Sequence, residues 1–85
     1  MNKKMYDVKD IMFSANQMSI KIDGKKYCFG LKNLSSRLWR ATPAQRRSFK
    51  ISPSGYGIHW PLIDEDLSIH GLLTSQASVV EATHQ

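Results

Sequence analysis

The stretch Gln17-Met18-Ser19-Ile20-Lys21-Ile22-Asp23-Gly24-Lys25-Lys26-Tyr27-Cys28-Phe29-Gly30-Leu31 decides the fold. Met18, Ile20 and Ile22 alternate with Ser19 and Lys21, the period-two pattern of a half-buried strand. Asp23-Gly24 supplies the pair that a type I′ turn asks for, because both its central positions need positive φ. Lys25 to Leu31 then returns with Tyr27, Phe29 and Leu31 in alternation. A two-residue turn sets the register: Ile22 opposite Lys25, Ile20 opposite Tyr27, Met18 opposite Phe29. Those pairs share the core face. Lys21 faces Lys26 on the other side, beside Ser19 and Cys28, so that face is expected to be wet.

Upstream, Tyr6 to Phe13 mixes Val8, Ile11, Met12 and Phe13 with polar residues and reads as a first strand, followed by a polar turn at Ser14-Ala15-Asn16. Downstream the period changes. Leu34, Leu38 and Ala41 recur at helical spacing over Asn33 to Ala41, with Ser35 or Ser36 able to cap the start. Thr42-Pro43-Ala44-Gln45 restarts a helix, with Thr42 as cap, Pro43 at the first position and Gln45 where a capping box wants it. Phe49 to Ile51 reads as a short fourth strand, closed by the turn Ser52-Pro53-Ser54-Gly55. Ile58-His59-Trp60 is extended because Trp60 precedes Pro61. Asp64-Glu65-Asp66 is expected to begin a helical turn, where acids complement the helix dipole. Ser68 to Leu73 is a second short turn. The expected fold is therefore α+β, a small antiparallel sheet of three to four strands with short helices packed on one face. Leu34, Leu38, Phe29, Ile20, Ile58 and Leu72 are expected to share its core. Residues 1–73 form a single domain and 74–85 a polar C-terminal tail.

Eighty-five residues suit one domain with a small core. The single cysteine, Cys28, excludes an internal disulfide and points to a reducing, cytoplasmic setting. Met1 to Val8 lacks the apolar region of a signal peptide, and no run reaches the roughly 18 apolar residues of a membrane span. Charge is divided along the chain. Residues 1–50 hold all 12 Lys and Arg against three Asp, a net +9, and residues 51–85 hold four acids and no Lys or Arg, a net −4. Either the two halves neutralise each other within the fold, or the basic half meets an anionic partner.

Special residue types concentrate between Gly55 and Leu73. His59, Asp64, Glu65, Asp66 and His70 offer nitrogen and oxygen donors, but their spacing matches neither a zinc site nor a calcium loop. No nucleophile elbow or phosphate-cradling glycine loop is present, although Ser54 or Ser68 can in principle partner a His–Asp pair. No catalytic, metal-binding or cofactor-binding residue is assigned. The motif of His59, Trp60, Asp64, Glu65 and Asp66 reads as structural or as a recognition surface, with the acids capping N–H groups or pairing with Arg37 or Arg40. Arg37, Trp39, Arg40, Arg46 and Arg47 are the candidate partner-binding residues, since arginine forks suit carboxylates and phosphates alike.

Several of these pieces together resemble the bacterial domain-of-unknown-function family 2442. They are the Asp23-Gly24 turn, Ser36-Arg37-Leu38 to Ala41-Thr42, Gln45-Arg46, Gly57-Ile58-His59-Trp60-Pro61, Asp64-Glu65-Asp66-Leu67-Ser68 and Gly71-Leu72-Leu73. The resemblance implies a small α+β domain with no settled activity. Some relatives carry an appended helix-turn-helix, and some are encoded beside another small protein in arrangements resembling toxin–antitoxin pairs. With about a dozen residues after Leu73, no such helix-turn-helix is expected here. The favoured expectation is a non-enzymatic protein-interaction module, the regulatory or antitoxin-like member of a two-gene pair, binding another small protein or a second copy of itself. The alternative is a nucleic-acid-binding regulator using the basic 37–50 segment. The third is a small hydrolase or metal-binding protein around His59 and Asp64–Asp66.

Overall fold

The computed structural model describes residues 5–75 and 78–80. Asp23 and Gly24 hold φ of 51° and 85°, so the hairpin turns as its sequence asks. Strand β2 (Gln17–Ile22) pairs with β3 (Lys25–Gly30) in the expected register, with Ile20 opposite Tyr27, Met18 opposite Phe29 and Lys21 opposite Lys26. β1 (Val8–Phe13) pairs antiparallel on the other side of β2. Its register slips between Lys9 and Met12, where Asp10 and Ile11 together face one residue of β2. Asp10 takes a φ of 55° there, a left-handed conformation that Asp tolerates and that a β-bulge uses.

Helices follow the hairpin. α1 (Leu31–Leu34) and α2 (Ser36–Arg40) are separate, where the sequence reads as one helical segment. Ser35 makes the break. Its backbone is extended at φ −161°, its N–H closes α1 on the Leu31 carbonyl, and its Oγ accepts from the Leu38 N–H to start α2. α3 (Pro43–Arg47) begins with the full capping box. Thr42 Oγ1 accepts from the Gln45 N–H at 3.1 Å, and Gln45 Oε1 accepts from the Thr42 N–H at 2.9 Å.

The remaining strands build a second sheet rather than extending the first. β4 (Lys50–Ile51), β5 (Gly57–Trp60) and β6 (Glu65–Ser68) lie antiparallel in that order. The acidic run thus enters a strand, not a helical turn. Residues 61–64 turn the chain instead, with Asp64 at φ 52°. α4 (Ile69–Thr74) is capped by Ser68 Oγ, which accepts from the Gly71 N–H. Of residues 74–85, expected as a tail, Thr74 ends α4 and Ser78–Val80 form β7, which pairs antiparallel with β3. The first sheet therefore runs β1-β2-β3-β7. Residues 76–77 and 81–85 lie outside the described residues.

One cluster fills the space between the sheets and helices. Met18, Ile20, Ile22 and Phe29 come from the first sheet, Leu31 and Leu38 from α1 and α2, Ile58 and Trp60 from β5, and Ile69 and Leu72 from α4. Each such side chain contributes about 1.5–3 kcal/mol by leaving water. Five of the six expected core residues are in it, and Leu34 packs half-buried at its margin. Among the described residues, no helix is long and apolar enough to cross a membrane.

Candidate functional site

The arginines of the 37–50 segment divide into inside and outside. Arg46 is buried, although it follows Gln45 in a row of polar residues. Its Nε donates to the Leu38 carbonyl at 2.9 Å, Nη2 to Trp39 at 3.0 Å and Nη1 to Ala15 at 3.3 Å. It thereby ties the end of α2 to α3 and to the β1–β2 turn. The Arg46 carbonyl in turn accepts from Nε1 of the fully buried Trp60, whose ring meets Phe49 at 6.1 Å. Arg46 and Trp60 are thus structural, and Arg46 leaves the set of surface cations. Arg37, Trp39, Arg40 and Arg47 stay exposed, with 36% of Trp39 accessible.

The three acids each take a separate task. Arg37 Nη1 donates to the Asp64 carbonyl and lies 3.8 Å from the Asp64 carboxylate. Glu65 Oε2 accepts from Ser35 Oγ at 2.5 Å, and its Oε1 accepts from the Asp66 N–H at 3.1 Å. Glu65 thus fastens the second sheet to the cap of α2. Asp66 Oδ1 lies 2.7 Å from His59 Nδ1, one strand across. The sequence brings these acids together, and the fold sends them in three directions.

His59 is the middle of a row. Register places Lys50, His59 and Asp66 side by side across β4, β5 and β6, on the face turned away from Ile58 and Trp60. A groove of about 670 Å³ opens there, with exposed Ile51 and Tyr56 among its lining residues. A His–Asp pair positions an imidazole, and general-base chemistry further needs a group to deprotonate within reach. Among the described residues no hydroxyl or thiol hydrogen-bonds to His59. Ser68 Oγ serves as the α4 cap, and Ser52 Oγ accepts from the Gly57 N–H. Among the described residues, no three His, Cys, Asp or Glu side chains gather as a metal would need.

Among the described residues, few cations of the first half touch an acid of the second. Among the described residues, the Lys or Arg ion pair that reaches an acid of the second half is Arg37–Asp64, and Asp66 is hydrogen-bonded to His59. Arg40, Arg47, Lys50 and Lys32 have no carboxylate within 4 Å among those residues. The outer face of the first sheet adds a further basic feature. Lys9, Lys21 and Lys26 stand opposite one another across β1, β2 and β3, and among the described residues only Lys9 has a carboxylate within 4 Å, that of Asp7 at 3.4 Å. Met12 stands exposed on that face, opposite Ser19, with Cys28 beyond. Cys28 Sγ donates to Gln17 Oε1 at 3.1 Å and is a free, half-buried thiol. Sequence reasoning found the Lys21–Lys26 pair. It missed Lys9 and Met12, because the bulge at Asp10 sets their positions.

Residues 8–78 match the family described as a protein of unknown function, DUF2442. The chain belongs to DUF2442. The match runs from the first residue of β1 to the first residue of β7, so the DUF2442 unit comprises β1 to β6 and α1 to α4. It includes the capping box, buried Arg46, the His59–Asp66 pair and the three-way acid cluster. No curated protein and no solved structure matches the chain.

Proposed function

We propose that this DUF2442 chain is a non-enzymatic protein-interaction module, the regulatory or antitoxin-like member of a two-gene pair, acting in the bacterial cytoplasm. The observation that carries this reading is a set of surface cations, Arg40, Arg47, Lys50, Lys21 and Lys26, that have no carboxylate within 4 Å among the described residues. Asp64 lies 3.8 Å from Arg37, Glu65 accepts from Ser35 and Asp66 lies beside His59. They do not cover Arg40, Arg47, Lys50 or the lysine row. An acidic surface on a second protein would complement such cations, steer the encounter and fix its register. Met12, Trp39, Ile51 and Tyr56 are exposed and available for apolar contact.

The test is co-expression of the chain with the product of its neighbouring gene, followed by gel filtration with light scattering after nuclease treatment. A discrete complex of fixed stoichiometry is expected, and it should weaken as salt rises. A strictly monomeric chain that ignores its neighbour, yet shifts a DNA or RNA probe at physiological salt, would replace this reading with the nucleic-acid one. In that case log affinity should fall linearly with log salt, by about 0.7–0.9 per phosphate neutralised.

A further inference from the structure

A groove of about 470 Å³ runs between the β1–β2 turn and α3, lined by Ile11, Phe13, Ala15, Pro43, Arg46 and Phe49, with Arg47 and exposed Met12 also on its wall. A second hollow of about 350 Å³ continues from it onto the outer face of the first sheet. The two share Met12, Phe13 and Ser14, and the second is bordered by Lys26.

Three features set the chemistry of an occupant. First, the lining is apolar. Ile11, Phe13 and Phe49 pack against the core with one side and are only half-buried. Second, Met12 is 63% exposed between the two hollows. An unbranched thioether adapts to an incoming side chain at little cost. Third, the wall holds a buried positive charge. Arg46 uses three of its five N–H donors on carbonyl groups, and among the described residues no carboxylate lies within 4 Å of it. A buried charge is ordinarily paired. Arg47, adjacent and exposed, adds a second positive charge to the wall, and Lys26 adds a third at the second hollow.

We propose that this groove is the docking site for a partner-protein segment in which an apolar side chain is flanked by carboxylates. The apolar anchor seats against Phe13, Phe49 and Met12, and the carboxylates face Arg47 and Lys26, with the Arg46 charge behind the wall. This rests on the protein-interaction reading above and locates its surface. An amphipathic acidic segment fits better than a nucleic-acid strand, which gains affinity from stacking on exposed aromatic faces. The exposed aromatic side chains, Trp39 and Tyr56, line neither hollow.

The experiment is a titration of the isotope-labelled chain, followed by amide NMR, with a synthetic peptide of leucines flanked by glutamates. The same peptide with serine for leucine, the same with lysine for glutamate, and oligo-dT are run alongside. Shifts should cluster at Ile11–Ala15 and at Arg47–Phe49 with the first peptide, and both peptide controls should bind at least about tenfold more weakly. Met12→Asp and Arg47→Glu, both at exposed positions, should fold normally by circular dichroism and each weaken the first peptide about tenfold. Absence of shifts, shifts centred on His59 and Tyr56, or oligo-dT binding more tightly at the groove than the peptide would each overturn the proposal. The neighbour-product complex separates the two readings. If it forms and both variants leave it intact, the groove falls and the interaction module stands. If the peptide seats in the groove and no complex forms, the groove stands and the two-gene pairing falls.

Discussion

Gly55 and Gly24 both occupy the left-handed region, at φ 70° and 85°, yet they differ in what surrounds them. A Cβ on Gly24 meets nothing within 4 Å, whereas on Gly55 it would lie 2.1 Å from the Tyr6 carbonyl oxygen. That carbonyl cannot retreat easily, because the Tyr6 N–H donates to the Ser54 carbonyl at 3.0 Å. Gly24→Ala should therefore cost only the backbone term, about 1 kcal/mol. Gly55→Ala should cost on the order of 3–5 kcal/mol, since strain and overlap add. Urea denaturation of the two variants measures this, and equal losses would show that the Tyr6 strand end is not packed against the turn. Arg46 and Arg47 make a second contrast. Arg46→Met removes the donors of three carbonyls and should cost about 2–4 kcal/mol, while Arg47→Ala should stay within about 0.5 kcal/mol. Two neutral outcomes would place both guanidinium groups in solvent. Nothing in the residue types separates these neighbours. What separates them is the side of α3 each occupies: Arg46 lies against the end of α2 and the β1–β2 turn, and Arg47 faces solvent. The same limit applies to the acids: three adjacent carboxylates read as one cluster, and only the fold assigns Arg37, Ser35 and His59 to them.

At the scale of the element, legibility follows how locally each element is determined. The β2–β3 hairpin was readable to the residue, because alternation and the Asp23-Gly24 turn impose the same register. The capping box of α3 was readable for a similar reason, since its two hydrogen bonds join residues three apart. β6 was not readable. Asp64-Glu65-Asp66 suits a helix start by composition, but the turn after Trp60-Pro61 delivers the chain to β5, whose unpaired edge accepts Glu65–Ser68 as a strand. β7 was missed because Ser78–Val80 is three residues long in a polar context, and its pairing partner lies about fifty residues upstream. α2 offers the sharpest test at this scale, being only five residues long and held by its cap and one buried leucine. Leu38→Ala should destabilise by about 2–5 kcal/mol through the cavity it leaves. Ser35→Ala should cost about 1 kcal/mol for the lost cap, and that cost should shrink in a Glu65→Gln background, because Ser35 and Glu65 share a hydrogen bond. A Leu38→Ala variant of near-native stability in thermal or urea unfolding would put that face of α2 on the surface.

For the whole molecule, the α+β class was legible and the division into two sheets was not. The sequence reading assembled one sheet because strand patterns do not say which edge a strand joins. The division matters for charge, since it gives each sheet an outer face: Lys9, Lys21 and Lys26 on one, Lys50, His59 and Asp66 on the other. The split of +9 and −4 along the chain was legible, and it posed the choice between internal neutralisation and a partner. The answer depended on where each acid went. Asp64, Glu65 and Asp66 lie beside Arg37, Ser35 and His59 rather than beside Arg40, Arg47, Lys50 or the lysine row, so among the described residues those cations keep their mutual repulsion in the folded state. Such repulsion destabilises a compact chain, and exposed ion pairs such as Arg37–Asp64 and Lys9–Asp7 offset little of it. Raising sodium chloride from about 10 mM to 150 mM shortens the Debye length from about 30 Å to 8 Å. Screening should then stabilise the protein alone. Relief of about 0.5 kcal/mol would raise Tm by roughly 2–4 °C in a domain of this size. Lys21→Thr, which removes the middle of the lysine row, should raise Tm at low salt and flatten its salt dependence. A Tm that falls with salt would mean that attractive pairs dominate and that the positive face is already satisfied within the chain. The argument for an acidic partner would then lose its footing, since a surface with no excess potential has no electrostatic reason to recruit one.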